Sequence, residues 1–246
     1  MVRLSLLLLI FLLLCRPGYG KELKVCVVNS YDIPPAKRLE EKVVELLRER
    51  GYEPSCGKCR VKIVIGTPGV VKELKEKRFR KLIFTFVLFP EELYQAFDGR
   101  EVYGVRIFPL PERTVKAFAS KRKLKKIKVA VPVSKEMEKI ARRYLPDEYF
   151  KVLPFKDNPT EVFNQIVNYR FVYIFPDPKL LKLVNLLRLI DFGKENGIVF
   201  LSGLGDLKKY GVDFVQEVSY QELARELVDL VESSPKERIL PCPVER

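Results

Sequence analysis

The 246-residue chain has no histidine and no tryptophan, and only two methionines and five cysteines. The absent histidine excludes Ser-His-Asp and Cys-His catalysis, histidine-ligated zinc and a histidine pH switch. No Gly-x-Gly-x-x-Gly is present. Gly66-Thr67-Pro68-Gly69 lacks the Gly-Lys-Ser/Thr ending of a phosphate loop. The acidic pairs Glu40-Glu41 and Glu91-Glu92 fall on solvated helix faces instead of flanking one cleft, which removes the pattern of a glycosidase. No metal, no cofactor and no enzyme activity are therefore expected, because no positioned acid, base or nucleophile stands out. Past residue 20 no apolar run approaches the roughly 20 residues of a membrane-spanning helix.

What is present starts with an address. Met1 to Gly20 has a basic n-region at Arg3, an apolar run from Leu4 to Leu14, a break at Pro17 and small residues at Gly18 and Gly20. That is a secretory signal peptide, cleaved near Gly20. Cys15 follows Leu14, which is large for a lipobox, so lipidation is the lesser reading. Cleavage also removes Arg16, and loss of Arg3 and Arg16 lowers the net charge from +13 to +11. A basic balance fits nucleic acid, but an exported protein rarely meets any, so no nucleic-acid partner is expected. Apolar content of 47% excludes general disorder. The 31% charged content with four glutamines is like a thermophile's surface.

Four cysteines remain after cleavage: Cys26, Cys56, Cys59 and Cys242. Export permits disulfides. Cys56-Gly57-Lys58-Cys59 leads into a strand instead of opening a helix, so it reads as a local Cys56–Cys59 disulfide or two loop thiols, not a redox site. Cys26 lies in an apolar strand as a small buried hydrophobe, and pairs with Cys56 or Cys59 only if their strands are neighbours.

Short apolar runs alternate with amphipathic helical stretches. Strands are expected at Leu23–Asn29, Val61–Ile65, Leu82–Leu88 and Val102–Phe108, with helices at Pro35–Arg50, Val70–Lys77, Glu91–Phe97 and Arg113–Lys121. The pattern restarts with strands at Ile127–Val131, Tyr149–Leu153, Arg170–Phe175 and Ile198–Leu201 and helices at Lys135–Tyr144, Asn158 or Thr160 to Val167, and Pro178–Glu195. An extended Val212–Gln216, a helix at Tyr220–Glu232 and a strand at Ile239–Pro243 close the chain. Near-continuous apolar strands between helices imply α/β architecture, with two Rossmann-like lobes built on parallel sheets. The expected first lobe is 21–120 with 209–236, and the second is 121–208 with 237–246. The basic stretch from Ser120 to Lys126 is either a solvated helix end or a hinge crossing.

Ligands of such sheets sit at the carboxyl ends of the strands. The exits there are Ser30-Tyr31, Thr67, Pro90, Ser134 and Asp177. Thr67, Ser134 and Asp177 also serve as plain helix caps. Phe89, Tyr94 and Tyr103 could wall an apolar ligand, whereas Tyr173 and Phe175 read as core.

The ordered motifs resemble a known family. Val172-Tyr173-Ile174-Phe175-Pro176-Asp177, the helix to Lys194-Glu195-Asn196-Gly197 and Leu207 to Phe214 are similar to the substrate-binding proteins of ABC importers, nearest the TrpX-like group. Val64 to Pro68, Phe84 to Pro90 and Tyr103-Gly104-Val105 resemble its second strand exit, third strand and crossover. The resemblance implies a type I periplasmic-binding fold that closes on a small-molecule solute and delivers it to a membrane permease. It implies ligand contacts at Ser30, Tyr31, Thr67, Pro90, Ser134, Asp177 and Asp213. Phe89 and Val131-Pro132 stand where that family carries polar anchors. The substitutions motivate a second reading, a binding module without transport that reports to a membrane signalling protein.

Overall fold

The computed structural model describes residues 23–55 and 59–245. The segment expected to be a signal peptide and Cys56 lie outside the described residues. Two all-parallel sheets carry the chain. The first comprises β1 (Lys24–Asn29), β2 (Glu53–Ser55), β3 (Val61–Ile65), β4 (Lys81–Thr85), β5 (Glu101–Val105) and β11 (Ile239–Leu240), in the order β11-β5-β4-β3-β1-β2. The second comprises β6 (Val129–Ser134), β7 (Phe150–Phe155), β8 (Phe171–Tyr173), β9 (Val199–Ser202) and β10 (Phe214–Val215), in the order β10-β9-β8-β6-β7. Each sheet therefore reverses its strand order once, between β1 and β3 and between β6 and β8.

Every sheet face is covered, which is why the strands read as continuous apolar runs. In the first lobe, α1 (Pro34–Glu49) buries Ala36, Leu39, Val43 and Leu47 at helical spacing against Val25, Ile63 and Ile83. The late helix α7 (Tyr220–Glu232) packs into that same core through Leu223, Leu227 and Val231. On the opposite face, α2 (Thr67–Glu76) and the 3-10 segment Pro90–Phe97 cover Val64, Leu82 and Phe84. Lys81 is buried, and its ammonium donates to the carbonyls of Leu230 and Ser233 at the carboxyl end of α7. A cation there suits the negative end of the helix dipole. In the second lobe, α3 (Pro111–Lys121) and α4 (Lys135–Tyr144) cover one face of the sheet. The short α5 (Phe163–Ile166) and α6 (Leu183–Glu195) cover the other.

The predicted α/β class and two parallel sheets hold. Several boundaries differ, each for a local reason. Asp177 accepts from the backbone N–H of Lys179 and Leu180, so residues 177–182 form a turn and α6 starts at Leu183 instead of Pro178. Asn158, not Thr160, caps the next segment, forming a capping box with Glu161. The lobe assignment changes as well. β11 pairs with β5, which puts 239–240 in the first sheet, and β10 pairs with β9, which puts 214–215 in the second. Ser120 to Lys126 is no hinge: it ends α3, whose Val115 and Phe118 already lie in the second lobe's core. The crossings are residues 106–110, between β5 and α3, and 216–219, between β10 and α7. The tail braces the second crossing, with the N–H of Ser219 bonded to Pro243 and that of Glu245 to Glu217.

Cys26 and Cys59 form a disulfide with Cα atoms 5.6 Å apart. This corrects the expected Cys56–Cys59 pair and the reading of Cys26 as a plain hydrophobe. β1 and β3 are neighbours with Val25 opposite Val61, so Cys59, two residues before β3, lies within reach of Cys26 across the sheet. Cys242 is a free buried thiol, and burial pushes its pKa up to about 12, so it is inert at neutral pH.

Candidate functional site

The carboxyl ends of both sheets face one another across the two crossings. On one side they leave a cleft of about 560 Å³. The first lobe lines it with Tyr31, Ile33 and Pro35 from the β1–α1 turn and with Phe86 and Leu88 beyond β4. The second lobe supplies Gly203 to Asp206 beyond β9, and the crossings add Ile107, Glu217, Val218 and Tyr220. Ile33 (43%), Leu88 (37%) and Tyr220 (40%) are large apolar or aromatic residues left exposed there. Exposed apolar groups gathered in a concave site mark binding surface. Phe86 adopts φ +60°, in the left-handed region, while its ring is buried. Backbone strain of that kind concentrates at functional sites. The cleft's carboxylates are Asp206, Glu217 and Glu245, and Lys208 stands 3.7 Å from Glu217.

The predicted exit residues are mostly committed to the protein itself. Tyr31 lines the cleft, and its hydroxyl accepts the N–H of Thr67 at 3.4 Å. Ser30 accepts the N–H of Gly69 at 3.1 Å and donates to the carbonyl of Ile65. Together they cap α2. Gly66, φ +106°, must be glycine, since a Cβ there would stand 2.5 Å from the Ser30 hydroxyl. At the other switch point Asp177 is fully buried and accepts the N–H of Ser134 at 2.5 Å. Neither Ser134 nor Asp177 lines the cleft. Pro34-Pro35 opens α1 and removes two N–H donors from its first turn. At the cleft, the start of α2 is thus met by the chain's own Ser30 and Tyr31, and the start of α1 is short of donors. Asp213 is remote: its carboxylate accepts the N–H of Phe200 at the amino end of β10.

On the other side, side chains bridge the two lobes. Phe89 projects from the β4 exit onto the second lobe, with ring centroids 5.5 Å from Phe175 and 5.3 Å from Tyr144, and it also meets Phe108 of the first crossing. Buried Pro90 follows it. Around these rings Glu91 pairs with Arg106 and accepts from the Tyr144 hydroxyl, and Glu92 pairs with Arg143. The lobes are therefore seamed along this edge. Burial raises the Tyr144 pKa, so the phenol stays the donor.

Comparison with known proteins finds no matching family model and no matching curated sequence. Solved structures do match over most of the chain. A ligand-free, open substrate-binding protein with adhesive properties from Clostridium difficile gives a TM-score of 0.61 at 13% identity, covering 85% of this chain and 83% of its own. A protein from Streptococcus pneumonia, described as an ABC domain in complex with L-Trp, gives 0.54 at 9% identity over 90% of each chain. A conserved domain protein from Vibrio cholerae gives 0.51 at 12%, covering 91% of this chain and 90% of its own. The fold is the type I periplasmic-binding fold.

Sequence reasoning missed Phe86, Leu88, Asp206, Glu217 and Tyr220. The expected third strand runs through Leu88, so Phe86 and Leu88 were read as its interior. Only the end of β4 at Thr85, whose hydroxyl donates to the Val105 carbonyl, places them beyond the sheet.

Proposed function

We propose that this chain is an exported solute-binding protein that holds a small, largely apolar molecule between its lobes and presents it to an ABC permease. The observation that carries this reading is the cleft at the strand exits, with Ile33, Leu88 and Tyr220 exposed around it. The neighbours' fold and the Cys26–Cys59 disulfide, which an oxidising compartment sustains, support it. The permease partner and the export address come from the sequence resemblance and the leader. The resemblance points to an aromatic amino acid. The geometry favours a solute without a carboxylate, because Ser30 and Tyr31 already take donors at the start of α2 and Pro34-Pro35 removes those of α1.

One observation favours the second reading, a transport-inactive module reporting to a membrane protein. Phe89 bridges the lobes through its own ring contacts with Phe175 and Tyr144, so the chain itself supplies a contact that favours the closed arrangement. Thermal-shift titration with matched sets (aromatic and branched amines, their amino acids, neutral amides and sugars) separates the readings. Solute binding predicts a rise in melting temperature set by ligand concentration over Kd. No shift across all sets supports the second reading.

A further inference from the structure

We propose that the amino-end face of the second sheet docks on an anionic lipid surface. Lys121 to Lys128 contains six basic residues in eight and no acid. The run joins α3 to the amino end of β6, at the end of the lobe opposite the strand exits that form the cleft. Arg170 lies beside it, at the amino end of the neighbouring β8.

Two features distinguish this face from an ordinary solvated helix end. First, Lys121, Arg122, Lys123, Lys125, Lys126 and Arg170 crowd one face and form no ion pair among the described residues. Neighbours follow the usual pattern: Lys116 pairs with Glu112, and Lys128 donates to the carbonyls of Asp147 and Glu148. Second, the face has a rigid floor. Phe118 packs edge-on to Phe171 at 5.5 Å and against Phe214 at 5.4 Å. Over these rings stand Arg122 (5.9 Å), Arg170 (5.7 Å) and Lys121 (6.0 Å). Lys121, Arg122 and Arg170 stand on these rings with their charge unanswered by any ion pair, so an anionic surface meets a partly preorganised set of cations.

Lipid phosphates fit this chemistry better than a nucleic-acid strand. Single-strand binding uses exposed rings as stacking platforms, whereas here the rings lie beneath the cations and Phe118 is 4% exposed. A membrane needs only several independent cations near its surface, each worth about fivefold in affinity (about 1 kcal/mol). The inference does not depend on which solute the cleft holds.

The test is co-sedimentation of the purified protein with vesicles of phosphatidylcholine alone and of phosphatidylcholine with phosphatidylglycerol, at low and raised salt. A variant carrying Lys121→Gln, Lys123→Gln, Lys125→Gln and Lys126→Gln is compared with one carrying Lys37→Gln, Lys42→Gln, Lys77→Gln and Arg225→Gln, which removes equal charge from paired sites. Seven of the eight side chains are exposed and Lys42 is half-buried, and a thermal melt checks that both variants fold. Binding only to phosphatidylglycerol vesicles, screened by salt, weakened several-hundred-fold in the first variant and less than tenfold in the second, is the expected result. No vesicle binding, equal loss in both variants, or tighter binding to an oligonucleotide at equal phosphate concentration would overturn it.

Discussion

The Phe89→Ala variant should release the seam without unfolding either lobe. Phe89 makes three ring contacts, to Phe175, Tyr144 and Phe108. Each such pair is worth about 0.5–1.5 kcal/mol beyond its buried area. Losing all three costs the closed arrangement about 1.5–4.5 kcal/mol. That moves the closed–open equilibrium by roughly 10- to 1,600-fold. The neighbouring ion pairs of Glu91 and Glu92 become easier to separate once water enters. Hydrogen exchange reads the effect locally. Amides of residues 89–92 and 141–145 should exchange faster by that factor, while β3, β4 and β9 keep their protection. Val64→Ala is the control, a cavity in the first lobe's core that should lower that lobe's protection without singling out the seam. Uniform loss of protection in Phe89→Ala, or none at the seam, would refute the claim that this ring holds the lobes together.

Three further outcomes follow from other parts of the fold. The Cys26–Cys59 bridge spans 33 residues, so the loop-entropy estimate gives about 4 kcal/mol. Reduction should lower the melting temperature by about 8–15 °C; coincident melts with and without reductant would contradict it. Gly193 lies in α6 where a Cβ would stand 2.2 Å from the ring of Phe200. Alanine gains at most about 1 kcal/mol of helix propensity, but overpacking costs about 1–3 kcal/mol. Gly193→Ala should therefore destabilise, and urea unfolding showing a gain would sink the argument. Glu226 on α7 is half-buried with one carboxylate oxygen unpartnered, and burial together with Glu222 and Asp229 raises its pKa. A raised acid stabilises the fold most when protonated, and that contribution is lost as pH rises through the folded pKa. Glu226→Gln should then be more stable than the parent at neutral pH, with the difference vanishing in acid. A difference that grows in acid would be the opposite of this linkage.

Much of the fold was legible because parallel strands buried on both faces leave continuous apolar runs such as Leu82-Ile83-Phe84. β2 was not legible: Glu53-Pro54-Ser55 has no apolar pattern and forms only because β1 offers an edge. The lobe boundary was invisible for a related reason. Residues 106–110 include Phe108, Pro109 and Leu110, with no Gly-rich or polar break, since a crossing buried between two lobes needs apolar contacts. The basic run at Ser120 attracted attention instead, and it proved to be a surface. At the site, the strand-exit rule pointed to Tyr31, which lines the cleft. It did not show that Ser30, Ser134 and Asp177 satisfy the backbone and leave the cleft to Phe86, Leu88 and Tyr220. Hydrogen-bond commitments of that kind are made in three dimensions, between residues such as Ser134 and Asp177 that lie 43 positions apart.

The central claim is that the cleft beside Leu88 and Tyr220 holds a small molecule. Native mass spectrometry of the purified protein, before and after mild denaturation and beside a Leu88→Arg variant, tests it most directly. One bound species released from the parent and absent from Leu88→Arg is the predicted result. Equal apo masses for both proteins, even after incubation with the solute sets, would contradict it.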